Sequence, residues 1–169
     1  GFLLDPGAQV DNRAETASLN ELRELAESLP VDIQPRTAGL LGKGFDIEGL
    51  WVSFGEATLL KAAVKYGQAI AHVASMYHRL VKAAGERPFE LEVSVDETDQ
   101  PTSHAEHLYI AKELKRLGVK WVSLAPRYVG RFEKGVDYMG NVAAFETDLQ
   151  GHAAIARQFG PYKLSLHSG

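Results

Sequence analysis

FELEVSVDE, residues 89–97, alternates without a break. Phe89, Leu91, Val93 and Val95 fall on one side and Glu90, Glu92, Ser94 and Asp96 on the other, the period of two that marks a strand with one apolar and one polar face. The turn-forming run TDQPT follows. Ser103 and Glu106 then supply the S-x-x-E pattern of a capping box, ahead of Leu108, Ala111, Leu114 and Leu117 at helical spacing and Gly118 as a stop.

The same alternation continues downstream. VKWVSLAPR (119–127) reads as a strand with Val122 and Leu124 on one side and Trp121, Ser123, Ala125 and Arg127 on the other. Residues 128–140 form a loop rich in glycine and aromatics. A helix carrying Phe145, Leu149, Ala153, Ala156 and Phe159 closes on Gly160-Pro161, and PYKLSLHSG ends the chain on a last alternating strand. Strand starts fall roughly 30 to 40 residues apart, the rhythm of βαβ units in a parallel sheet.

Upstream, residues 56–85 predict a long helix with Leu60, Val64, Gly67, Ile70, Ala74, Tyr77 and Val81 as its seam, covering a strand at LWVSF (50–54). GFLLD reads as a strand entering the DPG turn, and Ser18 with Glu21 begins a second capping box before Leu22, Leu25 and Leu29. VDIQPRTAGLLGKGFD has no legible pattern, and residues 1–45 are poorly resolved by pattern. One α/β domain over 1–169 is expected, without internal repeats beyond the βα alternation.

Composition narrows the class. The chain has 169 residues, 45% hydrophobic and 24% charged, with net charge −4 and no cysteine, which points to a folded globular domain. No disulfide, thiolate metal site or cysteine nucleophile is available. No basic stripe suggests nucleic acid, and no apolar stretch approaches the roughly 18 residues of a membrane span. The opening GFLLDPG lacks the basic n-region and long apolar run of a signal peptide, so a cytoplasmic location is expected.

The polar faces of the strands carry the functional information. In a (β/α)8 barrel each strand packs its apolar face on helices and turns the other towards the axis, with the active site at the C-terminal ends. The inward sets are then Glu92, Ser94 and Asp96; Ser123, Ala125 and Arg127; and Lys163, Ser165 and His167. Asp96, Arg127 and His167 form a ring at one mouth, with Glu92 and Lys163 a layer deeper. Such groups must pair, bind metal or bind substrate; a structural ion-pair network on a half-exposed sheet is the plain alternative. His72 and His78 read as surface or boundary residues, His104 and His107 lie in a helix's first turn, where a cation opposes the dipole, and His107 and His152 read as boundary histidines beside the apolar stripes; no spacing among them makes a local metal motif. GLLGKG (39–44) lacks the ending of a P-loop, and a flavodoxin-like domain would want a phosphate-binding loop that is not evident.

VSVDETDQPT, VSLAPRYVGRFEKGVDY and YKLSLHSG together resemble the tagaturonate/fructuronate epimerase family of bacterial hexuronate catabolism, over residues 50–169. The resemblance implies parallel βα repeats forming part of a TIM (β/α)8 barrel, a longer enzyme of which this chain is about half, with the missing remainder of the barrel as its partner, and a divalent metal (Zn, Mn, Ni or Co). The two sugar acids differ at a carbon β to the ketone, so retro-aldol cleavage, rotation and re-addition is the expected route. It implies His167 as metal ligand, Glu92 as first and Asp96 as second choice for acid/base work, with Asp96 also able to ligate metal. Arg127 is expected on the substrate carboxylate and Lys163 beside the enediolate. Another metal-dependent sugar aldolase or isomerase, or an inactive barrel fragment, are the alternatives.

Overall fold

The computed structural model describes residues 1–167, so Ser168 and Gly169 of the terminal motif lie outside the described residues. Four parallel strands form the main sheet: β1 (Phe2–Leu4), β4 (Leu91–Ser94), β5 (Ser123–Ala125) and β6 (Lys163–Leu164), in that spatial order. A separate antiparallel hairpin joins β2 (Gly44–Ile47) to β3 (Leu50–Ser53). The helices are α1 (Leu19–Glu27), α2 (Glu56–Ala84), α3 (His104–Arg116) and α4 (Val142–Phe159), with short 3-10 turns filling much of residues 7–38.

The strands pair through one row, Leu3, Glu92, Ser123 and Lys163 lying side by side. The pleat sends Leu91, Val93, Val95 and Leu124 into the core with Leu108, Tyr109, Leu114 and Ile155 of the helices. α1 packs on α2, α2 on α3 and α3 on α4, so the helices follow one another on that apolar face. The strand pattern is therefore correct in kind: the strands run over Leu91–Ser94 and Lys163–Leu164, and hydrogen bonds from the Phe2 N–H to the Glu90 carbonyl, the Val95 N–H to the Ala125 carbonyl and the Ser165 N–H to the Leu124 carbonyl continue the pairing past them.

Both capping boxes were predicted from spacing, and both serine caps form. Ser18 Oγ accepts the Glu21 N–H, and Ser103 Oγ accepts the Glu106 N–H while Glu106 accepts the Ser103 N–H. LWVSF forms a strand as expected, over Leu50–Ser53, but it belongs to the antiparallel hairpin, which packs on α3 and α4 and not under the long helix α2 as expected. Its turn places Glu48 at φ 54° and Gly49 at φ 88°, left-handed positions that give the tight reversal. Val81, assigned to the seam of α2, is exposed, because the buried part of that helix ends near Tyr77.

A cation is held wholly inside. Lys65 of α2 is fully buried, with Nζ 2.5 Å from Glu15 Oε1 and 3.3 Å from Glu106 Oε2. It ties the 3-10 turn Asn12–Glu15 to the capping box of α3. Removing Lys65 leaves Glu106 charged in the interior without its ion pair and Glu15 with only the half-exposed Lys61. Lys65→Met is expected to lower unfolding stability by about 3–5 kcal/mol in urea denaturation, and a loss within about 0.5 kcal/mol, the scale of surface substitutions, would exclude this role.

Candidate active site

The C-terminal ends of all four parallel strands open on one cavity of about 840 Å³. Asp5 comes from the segment after β1, Asp96 and Glu97 from that after β4, Arg127, Arg131 and Lys134 from the loop after β5, and His167 from the segment after β6. Carboxylate, carbonyl and hydroxyl oxygens set the loops in place. Asp5 Oδ1 accepts the Gly7 N–H at 2.9 Å, Arg127 donates to the Thr98 carbonyl, and the Arg127 N–H donates to Thr102 Oγ1 at 3.0 Å. Gly130, at φ 88°, lies against Tyr138, and a β-carbon there would collide with the Tyr138 hydroxyl.

His167 sits between two carboxylates. Its Nε2 lies 2.7 Å from Glu92 Oε1 and its Nδ1 3.5 Å from Asp96 Oδ2. Ser165 donates to Glu92 Oε2 at 2.9 Å, Ser123 bonds Ser165, and Ser94 donates to Asp96. Every residue in this network comes from the polar face of β4, β5 or β6, or from the residues just after them. Partial burial works to raise the Glu92 carboxyl, but hydrogen bonds from Ser165, His167 and Ser123 outweigh it and hold the group below its ordinary value. Glu97 moves the other way, raised by the negative charge of Asp5.

Asp96, Arg127 and His167 thus meet at one mouth, as the alternation predicted. Glu92 lies behind His167 and does not line the cavity. Lys163 is exposed on β6, does not line the cavity, and among the described residues makes no ion pair. The residues the alternation did not single out are those of the loops, Asp5, Glu97, Arg131 and Lys134, which no period-two pattern selects. His107 and His152 are also corrected: both are fully buried between α3 and α4, with Nδ1 atoms 2.8 Å apart, because the two helices pack at those positions.

The tagaturonate epimerase family matches residues 2–169. The chain belongs to that family. The match takes in residues 2–49, which the three motifs leave aside. A tagaturonate/fructuronate epimerase of Thermotoga maritima is 41% identical over 168 residues, covering 99% of this chain and 34% of that protein. The native crystal structure of a fructuronate-tagaturonate epimerase from Cohnella laeviribosi is 40% identical with a TM-score of 0.88, and a glycerol complex of it is 39% identical with a TM-score of 0.89. In each the chain covers 34% of the relative, so it spans about a third of these family members. Among the described residues no helix is long and apolar enough to cross a membrane.

The lowered Glu92 carboxyl gives a signed prediction. Its partners stabilise the fold fully above the ordinary value of 4.5, and that contribution disappears as pH falls through the lower folded value. The stability gap between wild type and Glu92→Gln, from urea midpoints, is expected to be larger at pH 7 than at pH 3. An equal gap at both would mean that Glu92 carries no net charge pairing.

Proposed function

We propose that this chain forms part of the active site of an enzyme that interconverts tagaturonate and fructuronate by breaking and re-forming a carbon–carbon bond. The observation that carries this reading is the 41% identity over 99% of the chain to a named epimerase, and the cavity at the strand ends has matching chemistry. Basic side chains Arg127, Arg131 and Lys134 face a carboxylate substrate, with the guanidinium fork of Arg127 suited to bidentate binding. The acidic wall of Asp5, Asp96 and Glu97 faces its hydroxyl groups.

The donor set suits a divalent cation. His167 Nδ1 and Asp96 Oδ2 lie 3.5 Å apart, a separation that two donors sharing one ion would have, and Glu92 holds the opposite ring nitrogen as a ligating histidine is commonly held. His167 and Asp96 would hold the ion, which when bound supplies Lewis-acid polarisation of the substrate ketone.

Glu97 is assigned the proton. It lines the cavity and its carboxyl is raised by Asp5, which brings its affinity for a proton closer to working pH. Its carboxylate takes the proton of the hydroxyl on the carbon β to the ketone. The bond from that carbon to the α-carbon breaks, and its electron pair moves to the α-carbon and ketone oxygen while an aldehyde forms. The aldehyde turns, the pair re-forms the bond on its other face, and Glu97 returns the proton. Glu92 acts through His167 in this scheme, and Lys163 has no part in it.

The same reading takes the sheet as an arc of a TIM barrel. Strand order follows chain order and the helices form one layer, where a doubly wound fold would place helices on both faces. Phe2 and Leu3 at one edge and Leu166 beyond the other are exposed, and further strands pairing there would cover them.

The test is fructuronate epimerisation by the full-length protein. Activity is expected to vanish with chelator and return with a divalent ion. Glu97→Gln and His167→Ala are each expected to lower kcat/KM about 10²–10⁴-fold, and Arg127→Lys to raise KM. Wild-type activity in Glu97→Gln would remove it from the chemistry, and turnover of other ketoses but neither hexuronate would favour an aldolase or isomerase.

A further inference from the structure

The opposite side of the sheet holds titratable groups that the strand-end chemistry does not use. His104 opens α3, and Asp148 and His152 are one turn apart on α4. One ligand atom from each lies within 4.8 Å of the others. His104 Nε2 and His152 Nε2 both stand 3.4 Å from Asp148 Oδ1. The other carboxylate oxygen, Oδ2, accepts the Val129 N–H at 3.1 Å, which fixes the group with Oδ1 turned towards the imidazoles.

Two further observations point to a ligand. His152 is fully buried, and its Nε2 has no hydrogen-bond partner among the described residues. Its other nitrogen is engaged: Nδ1 lies 2.8 Å from His107 Nδ1, and His107 Nε2 lies 2.8 Å from the Tyr162 hydroxyl. Burial disfavours the charged form of both rings. If His152 Nδ1–H donates to His107 and His107 Nε2–H to Tyr162, the lone pair of His152 Nε2 faces an ionised carboxylate oxygen with nothing between them. An electrophile resolves that repulsion. The reverse order of donors turns His152 Nε2–H towards Asp148 Oδ1 at 3.4 Å, a long contact that an ion bound between the two groups replaces.

Gly151 is the second observation. It is buried inside α4, where glycine is unfavourable, and a β-carbon there would collide with the His104 imidazole. The helix gives up a side chain where His104 must lie.

We propose that His104, Asp148 and His152 bind a divalent transition-metal ion, such as Zn²⁺, in a structural site that pins α3 to α4. Two imidazoles and a carboxylate are a donor set for such ions. His107 and Tyr162 form the outer hydrogen-bonded shell that fixes the His152 tautomer. Binding exchanges the His104 Nε2–H bond to the Asp148 carbonyl, now 3.0 Å, for a bond to the ion. Because Asp148 also holds Val129, the site anchors the loop that carries Arg127 and Arg131 to the cavity.

The test uses the full-length protein carrying His167→Ala, which removes the ligand proposed at the cavity, stripped by chelator and titrated with Co²⁺. The expected result is a d–d absorption band that saturates with Co²⁺, and a Tm that rises with its concentration. His104→Gln, Asp148→Asn and Gly151→Ala should each weaken Co²⁺ binding at least tenfold with unchanged far-UV circular dichroism, and His78→Gln should not. No Co²⁺ band in the His167→Ala protein, or equal affinity in folded His104→Gln and Asp148→Asn, overturns the proposal.

Discussion

The pleat of β4 is the constraint from which both faces of the structure follow. Leu91, Val93 and Val95 are each about 1% exposed, so their alternate neighbours have no choice of side. Glu92 and Ser94 must stand on the face that the helices do not cover, and Ser123 beside Glu92 in the same row must stand there too. Groups forced together in this way either satisfy one another or cost stability. Here Ser165, Ser123, Glu92 and His167 form a continuous network, so the polar face is both a structural solution and a rigid seat for His167.

The helix face meets the same requirement with buried charge. Lys65, Glu15 and Glu106 place a cation and two carboxylates in the interior, and Glu106 also completes the cap of α3. The first turn of α3 is thereby fixed at three positions: Ser103 as cap, His104 against Asp148, and Glu106 on Lys65. A helix anchored at its start in this way delivers His107 to α4 with little freedom, which is why two imidazole nitrogens can meet at 2.8 Å.

Elements held by local pattern were legible in the sequence. The alternation at 89–97, the capping boxes at Ser18 and Ser103, and the Gly160-Pro161 stop each depend on residues a few positions apart. Contacts between distant segments left no such trace. Glu48-Gly49 is not among the strong hairpin dipeptides, so LWVSF reads as a strand but its pairing with β2 leaves no local signal. Lys65 occupies an ordinary helical position, and only Glu15 and Glu106, from two other elements, make its burial tolerable. The histidines were read by their spacing along the chain, whereas His104, His107 and His152 meet across two helices more than forty residues apart in sequence.

The loop after β5 connects the two polar centres. At one end Arg127 bonds the Thr98 carbonyl and its own N–H bonds Thr102, whose hydroxyl also meets Tyr66 of the buried core. Two residues on, the Val129 N–H bonds Asp148 of the helix-side cluster, and the Val129 carbonyl accepts the Tyr138 hydroxyl at 3.1 Å. The basic wall of the cavity is therefore suspended from the interior on one side and from α4 on the other. A shift of Asp148 moves Val129, and Val129 cannot move without disturbing either Tyr138 or the backbone that aims Arg127. The position of the guanidinium at the strand ends is in this sense set by packing on the far face of the sheet, and the chemistry of the cavity and the cohesion of the helices are parts of one hydrogen-bonded framework.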